Sequence, residues 1–240
     1  MDRLTPDTTI ADTDKNSFSP QREFDAELPR RFVDLRVLEL LTARLCHELS
    51  GPIAAINNGV ELLAEEHPGI GSLPSPAFRH DAATLVNDSA RRARSRLQFY
   101  RFAYGFTSGS AIAGPEPYEI ATGFFAESRI ATDYAASTRA LTPDWQKLAC
   151  NLLSVAAAAL PRGGRLVLSD APLTVEAFGD GAALSAEARE ALTLAAPIAA
   201  LTARTVQPYF TGLLAKALET SIDATAGQGK IRLRAVSTAL

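Results

Sequence analysis

Apolar side chains recur at three- and four-residue steps along Leu38, Leu41, Leu45, Leu49, Ile53, Ile56, Val60 and Leu63. At about 100° per residue they fall on one stripe, which predicts a long amphipathic helix burying that stripe. The helix is expected over residues 31–66, after Pro29 and before His67-Pro68-Gly69, where proline cannot continue a helix and glycine suits its cap. A second helix is expected over 77–106, with Val86, Ala90, Ala93, Leu97, Tyr100 and Tyr104 at helical spacing. So short a loop between them predicts an antiparallel hairpin. One hairpin covers each stripe on one side only, so two chains are expected to close a four-helix bundle as a homodimer.

Beyond Thr107-Ser108-Gly109 the pattern changes to short alternating runs. Strands are expected over 129–134, 165–169, 173–178, 221–226 and 230–236, and helices over 118–128, 144–160, 185–194 and 206–219. The whole is predicted to be α+β: the hairpin, then an α/β sandwich with a mostly antiparallel sheet covered by helices on one face. Residues 1–30, rich in Asp, Thr, Ser and Pro without periodicity, are expected as a flexible tail. The hairpin domain takes 31–110 and the sandwich 111–240.

Composition narrows the function classes. An apolar fraction of 47% in 240 residues is enough for a sizeable core. The net charge of −3 and pI near 5.7 argue against a nucleic-acid partner. Apolar runs stay below the roughly 18 residues of a membrane span, and the acidic start, with Asp2, Asp7, Asp12 and Asp14, is unlike a signal peptide, so a cytoplasmic location is expected. Cys46 and Cys150 both fall in helical patterns and are expected as reduced core thiols. No metal site is expected, because Cys46 and His47 point about 100° apart and no second Cys/His cluster accompanies them.

His47 carries the candidate chemistry. It lies about 200° from Leu45 and 160° from Leu49, so it should face solvent. The residues sharing its face, Ala43, Ser50, Gly51 and Ala54, are small and leave a low collar around the ring on which another protein can dock. Arg44 beside them is expected among the docking residues. Arg91, Arg92, Arg94, Arg96 and Arg101 make the second helix basic; Arg94 and Arg101 are the expected partner contacts, although such a run also serves as a solvated face. Asn57-Asn58-Gly59 is poor helix sequence and points to close backbone packing or a polar contact.

These residues resemble a known family. His47-Glu48-Leu49-x-x-Pro52 on the first helix of a hairpin, followed by an α/β domain, is similar to the dimerisation and ATPase-like domains of sensor histidine kinases. The closer resemblance is to the ChpT family of histidine phosphotransferases. It rests on Leu45 through Leu63, on Ala93-x-x-Arg96-Leu97-Gln98-Phe99, on Leu160-Pro161-Arg162-Gly163-Gly164 and on Gln207-Pro208-Tyr209-Phe210-Thr211-Gly212. The resemblance implies a degenerate Bergerat-type sandwich and a bacterial phosphorelay. In it His47 carries phosphate between response-regulator receiver domains, with a hybrid-kinase donor and a CtrA-type acceptor. Glu48 is implied to orient the imidazole or accept its proton, and the bland alternative is one more solvated carboxylate. Mg²⁺ is expected on the receiver, with no cofactor on this chain.

Kinases of this architecture hold Mg²⁺-ATP with an Asn-x-x-x-Asn box, whereas Asn151 is followed four residues later by Val155, which cannot ligate a hard cation. Their Asp-x-Gly-x-Gly stretch is reduced to Gly179-Asp180-Gly181-Ala182-Ala183, and their last glycine-rich box to Gly212-Leu213-Leu214. ATP binding is therefore expected to be absent and Asp180 to be a turn residue. An active kinase with a divergent ATP site and a non-catalytic dimeric scaffold remain the alternatives.

Overall fold

The computed structural model describes residues 33–64, 75–105, 116–126 and 128–238. The expected tail over 1–30 and the join at 106–115 lie outside the described residues. Helix α1 (Leu35–Ala64) runs unbroken through Pro52. Helix α2 (Pro76–Tyr104) starts with Pro76 at its first position and the Ser75 hydroxyl accepting from the Phe78 N–H. The two helices pack against each other and run antiparallel, since Glu48 meets Arg96 while Gly59 meets Val86. A Cβ on Gly59 would lie 2.6 Å from the Val86 Cγ2, so the glycine at this poor helix position is what lets the two backbones approach.

The remaining elements follow as α3 (Pro117–Phe125), β1 (Ile130–Tyr134), α4 (Pro143–Ala158), β2 (Gly164–Asp170), β3 (Leu173–Phe178), α5 (Ala186–Leu192), α6 (Val206–Ala217), β4 (Thr220–Gly227) and β5 (Lys230–Ser237). Short 3-10 turns at Ala136–Ala140 and Ile198–Ala200 carry no strong pattern in the sequence and were not expected. The five strands form one mixed sheet in the order β1-β2-β3-β5-β4, parallel only between β1 and β2. Alternation places Leu166 and Leu168, then Leu173, Val175 and Ala177, then Ile231, Leu233 and Ala235 on the buried face. Helix α4 lies on that face, with Leu148, Leu152, Leu153 and Val155 buried.

The core does not stop at the sandwich. Phe99, Tyr100, Phe102 and Ala103 at the end of α2 belong to the same cluster as the sheet residues. A second cluster joins Val37 and Leu41 of α1 to Ala191, Leu201, Val206 and Tyr209. Among the described residues no helix is long and apolar enough to cross a membrane.

Two expectations about burial are corrected. The α1 stripe is not one buried face: only Leu41 of the eight is buried, Leu45, Leu49 and Ile56 are half-buried, and Leu38, Ile53, Val60 and Leu63 are exposed. Packing explains the split, because α2 and the second cluster reach one edge of the stripe and, among the described residues, nothing covers the other. Cys150 is buried as expected, with its thiol pushed up to about 12 by burial, but Cys46 is exposed. Its position, about 200° around the helix from Glu48, puts it on the side of α1 opposite α2.

Candidate functional site

His47 stands exposed on α1, and so do Ala43, Ser50, Gly51 and Ala54 of the expected collar. A Cβ added at Gly51 would have nothing within 4 Å, so the space above the ring is open. The Ser50 hydroxyl donates to the Cys46 carbonyl at 2.7 Å, which turns it along the helix. Arg94 and Arg101 of α2 are exposed as expected. His80 is exposed on α2, while His67 lies outside the described residues.

Glu48 points the other way. Its half-buried carboxylate accepts from the Arg96 guanidinium across the α1–α2 contact and lies 4.0 Å from Arg44 Nη2. Arg96 also rests 5.9 Å from the centre of the Phe124 ring, so its charge sits between a carboxylate and an aromatic face. The pairing of Arg96 with Glu48 was not anticipated. The only signal for it in the sequence was the Arg96 of the second-helix motif, since hairpin register is not encoded in either helix alone.

Arg44, expected among the docking residues, is half-buried. Its side chain is only 19% exposed, and besides Glu48 its Nη1 approaches the Ala203 carbonyl at 3.5 Å. One turn pair earlier, Arg36 Nη2 donates to the Leu201 carbonyl at 3.0 Å. Both arginines of α1 are thus spent on the segment before α6.

Behind Glu48 a buried polar relay continues into the sandwich. The Tyr104 hydroxyl donates to Gln207 Oε1, and Gln207 Nε2 donates to Asn151 Oδ1 at 2.8 Å. The Asn151 amide donates to the Ala103 and Lys147 carbonyls at 3.0 and 2.9 Å. Burial raises the Tyr104 phenol to about 12 against the opposing pull of Arg44, and burial followed by the Glu48 charge raises that of Tyr100.

The residues that the sequence set against the kinase boxes are engaged within the chain. Asn151 is fully buried with both amide hydrogens donated and its oxygen accepting, and Val155 is buried beside it on α4. Asp180 is exposed and paired with Arg162 at a turn where Gly181 takes a positive φ of 70°. Gly212 packs so tightly on the Leu192 carbonyl that any Cβ would collide with it, which gives this glycine a packing role.

An exposed histidine thus stands on one of two antiparallel helices that pack onto an α/β sandwich. Residues 115–230 match the family model for the histidine phosphotransferase C-terminal domain. The chain is 32% identical over 209 residues to the protein phosphotransferase ChpT of Brucella abortus (strain 2308), spanning 83% of this chain and 95% of that protein. It also matches the solved structure of a bacterial phosphotransferase at TM-score 0.68 and 32% identity, over 88% of this chain and 100% of the other. The chain belongs to the ChpT-type histidine phosphotransferase family.

Proposed function

We propose that His47 carries a phosphoryl group from the phosphoaspartate of one receiver domain to the aspartate of another, with a hybrid-kinase receiver as donor and a CtrA-type regulator as acceptor. An imidazole nitrogen attacks phosphorus, the bond to the donor aspartate breaks and leaves its carboxylate, and a phosphoramidate forms. In the second step the acceptor carboxylate attacks and the N–P bond breaks. Mg²⁺ belongs to the receiver. The observation that carries this reading is the open, small-residue face around an exposed His47.

Glu48 serves as a positioning residue, because its carboxylate is shared between Arg96 and Arg44. The chain works without nucleotide, a reading supported by the internal bonds of Asn151 and the packing of Gly212. It acts in the cytoplasm as a homodimer. Support for the dimer comes from Leu38, Ile53, Val60 and Leu63 of α1 and Leu85 and Leu97 of α2, which a single chain leaves exposed and a four-helix bundle would bury. The sandwich is then a degenerate Bergerat-type domain.

The test is transfer from an acetyl-phosphate-loaded receiver to the wild-type chain and to His47→Ala, beside an incubation with Mg²⁺-ATP alone. Label should reach the wild type from the receiver and from no other source, and the variant should remain folded and unlabelled. Label from ATP would favour the kinase alternative, and no label from any receiver the scaffold. Light scattering reads the dimer.

A further inference from the structure

The segment before α6 borders the face on which His47 stands. Arg44, one turn before His47, reaches the Ala203 carbonyl, and Arg36 reaches that of Leu201 about 16 Å along the helix from His47. The segment is built rigidly: the Thr202 N–H donates to Thr205 Oγ1 at 2.9 Å, and the Arg204 and Thr205 N–H groups each meet Thr202 Oγ1 at 3.3 Å. Leu201 is buried beneath it against α1. What it leaves exposed are Ala199, Ala200, Thr202, Ala203 and Arg204, four small side chains and one cation. Among the described residues no ion pair is formed by Arg204.

A specific protein interface covers about 800 Å² per partner, a disc of roughly 16 Å radius. A receiver seated with its aspartate on His47 therefore extends along α1 past Arg44, whose guanidinium approaches the Ala203 carbonyl. Receivers carry a cluster of carboxylates around the phosphorylated aspartate, so a single guanidinium at the rim faces charge of opposite sign. We propose that segment 199–204 forms a second wall of the receiver-docking site and that Arg204 is a specificity-determining contact for the acidic rim of that partner. The inference rests on the phosphotransfer reading above. It assigns to the sandwich a share in partner recognition, where the nucleotide of a kinase would otherwise have been its business.

The experiment measures the initial rate of transfer from an acetyl-phosphate-loaded CtrA-type receiver domain as a function of receiver concentration and of salt. Arg204→Glu should raise KM about fivefold or more with kcat retained and flatten the dependence of KM on salt, and Arg204→Lys should restore most of both. Ala200→Glu, which places on the same exposed segment a charge of the same sign as the receiver's rim, should raise KM as well. Unchanged KM and salt dependence in Arg204→Glu and Ala200→Glu would overturn the second wall while leaving His47 as the phosphate carrier. Failure of the wild-type chain to accept phosphate from either the receiver or phosphoramidate would instead overturn the reading of His47 and this inference with it.

Discussion

Arg96 on α2 donates to the carboxylate of Glu48, the residue that directly follows His47 on α1. The pair spans the contact between the helices, and Arg44 extends it to the segment before α6. If Glu48 holds α1 in place, Glu48→Gln, which still accepts from Arg96, should transfer phosphate within about threefold of wild type and with the same pH profile. Removal of a general base would cost about 10²–10⁴-fold and change that profile. Glu48→Ala removes the carboxylate from Arg96 and leaves Arg44 its contact with the Ala203 carbonyl, and should fall further than Glu48→Gln. Quench-flow transfer rates between pH 6 and 9 distinguish the two roles.

Gly51 tests the docking face. A leucine there enters open space, so stability should change by no more than about 1 kcal/mol, helped by the better helix propensity. Its side chain would fill the approach to His47, and in-line transfer needs reacting atoms within about 3–3.5 Å. Transfer should drop by at least about 10²-fold with the melting temperature little moved. A wild-type rate in the folded Gly51→Leu protein would reject this face.

Gly59 gives the opposite balance. An added methyl meets Val86 Cγ2 at 2.6 Å and the Ala82 carbonyl at 3.4 Å, and the β-branched valine has little rotamer freedom with which to yield. Overpacking of this kind costs about 1–3 kcal/mol, more than the roughly 1 kcal/mol that alanine gains in helix propensity. Gly59→Ala should therefore lower stability in denaturant titrations, and Gly59→Leu should do so severely.

Alkaline pH should unfold the chain through its buried acids. The Tyr104 phenol and the Cys150 thiol have folded values near 12, above their unfolded ones of about 10 and 8.5, and the Tyr100 phenol is raised as well. Groups shifted in this direction contribute stability that is complete below the unfolded value and is lost as pH climbs toward the folded one. Stability should be flat to about pH 8.5 and fall between there and pH 12, with tyrosinate absorbance rising together with the loss of helix signal. Tyrosinate appearing well before unfolding would contradict the burial of these rings.

The relay makes a fifth test. Gln207→Ala removes the partner of both Tyr104 and Asn151 and leaves two buried polar groups unsatisfied. The expected loss is about 2–4 kcal/mol. Unfolding within error of wild type would mean that water replaces the missing amide.

The strands and helices were legible because each is written in local alternation: Leu173, Val175 and Ala177 of β3 could face only one way once the pattern was seen. His47 and its collar were legible for the same reason, since helical angle alone separates them from the leucines. What stayed hidden depends on register between elements. Nothing within α1 shows that Glu48 will meet Arg96, nor that Arg44 will spend its charge on Ala203. The whole α1 stripe was expected in the core on periodicity, yet Leu38, Ile53, Val60 and Leu63 stand exposed, because spacing along one helix does not say what packs over each position. Cys46 illustrates the limit at one residue: helical context suggested burial, and only the side taken by α2 shows otherwise.

The bonds of Asn151 also bear on reversibility. An asparagine substituted for Val155 would recreate the spelling of a cation-binding box, but it would enter a site that is 2% exposed and apolar, where its amide finds no partner. The oxygen of Asn151 would still be turned toward Gln207, and Gly212 would still be pressed on Leu192. A cation site built there would thus require the joint between α2 and the sandwich to be rebuilt as well, because the Asn151 amide already holds the Ala103 carbonyl while its oxygen accepts from Gln207.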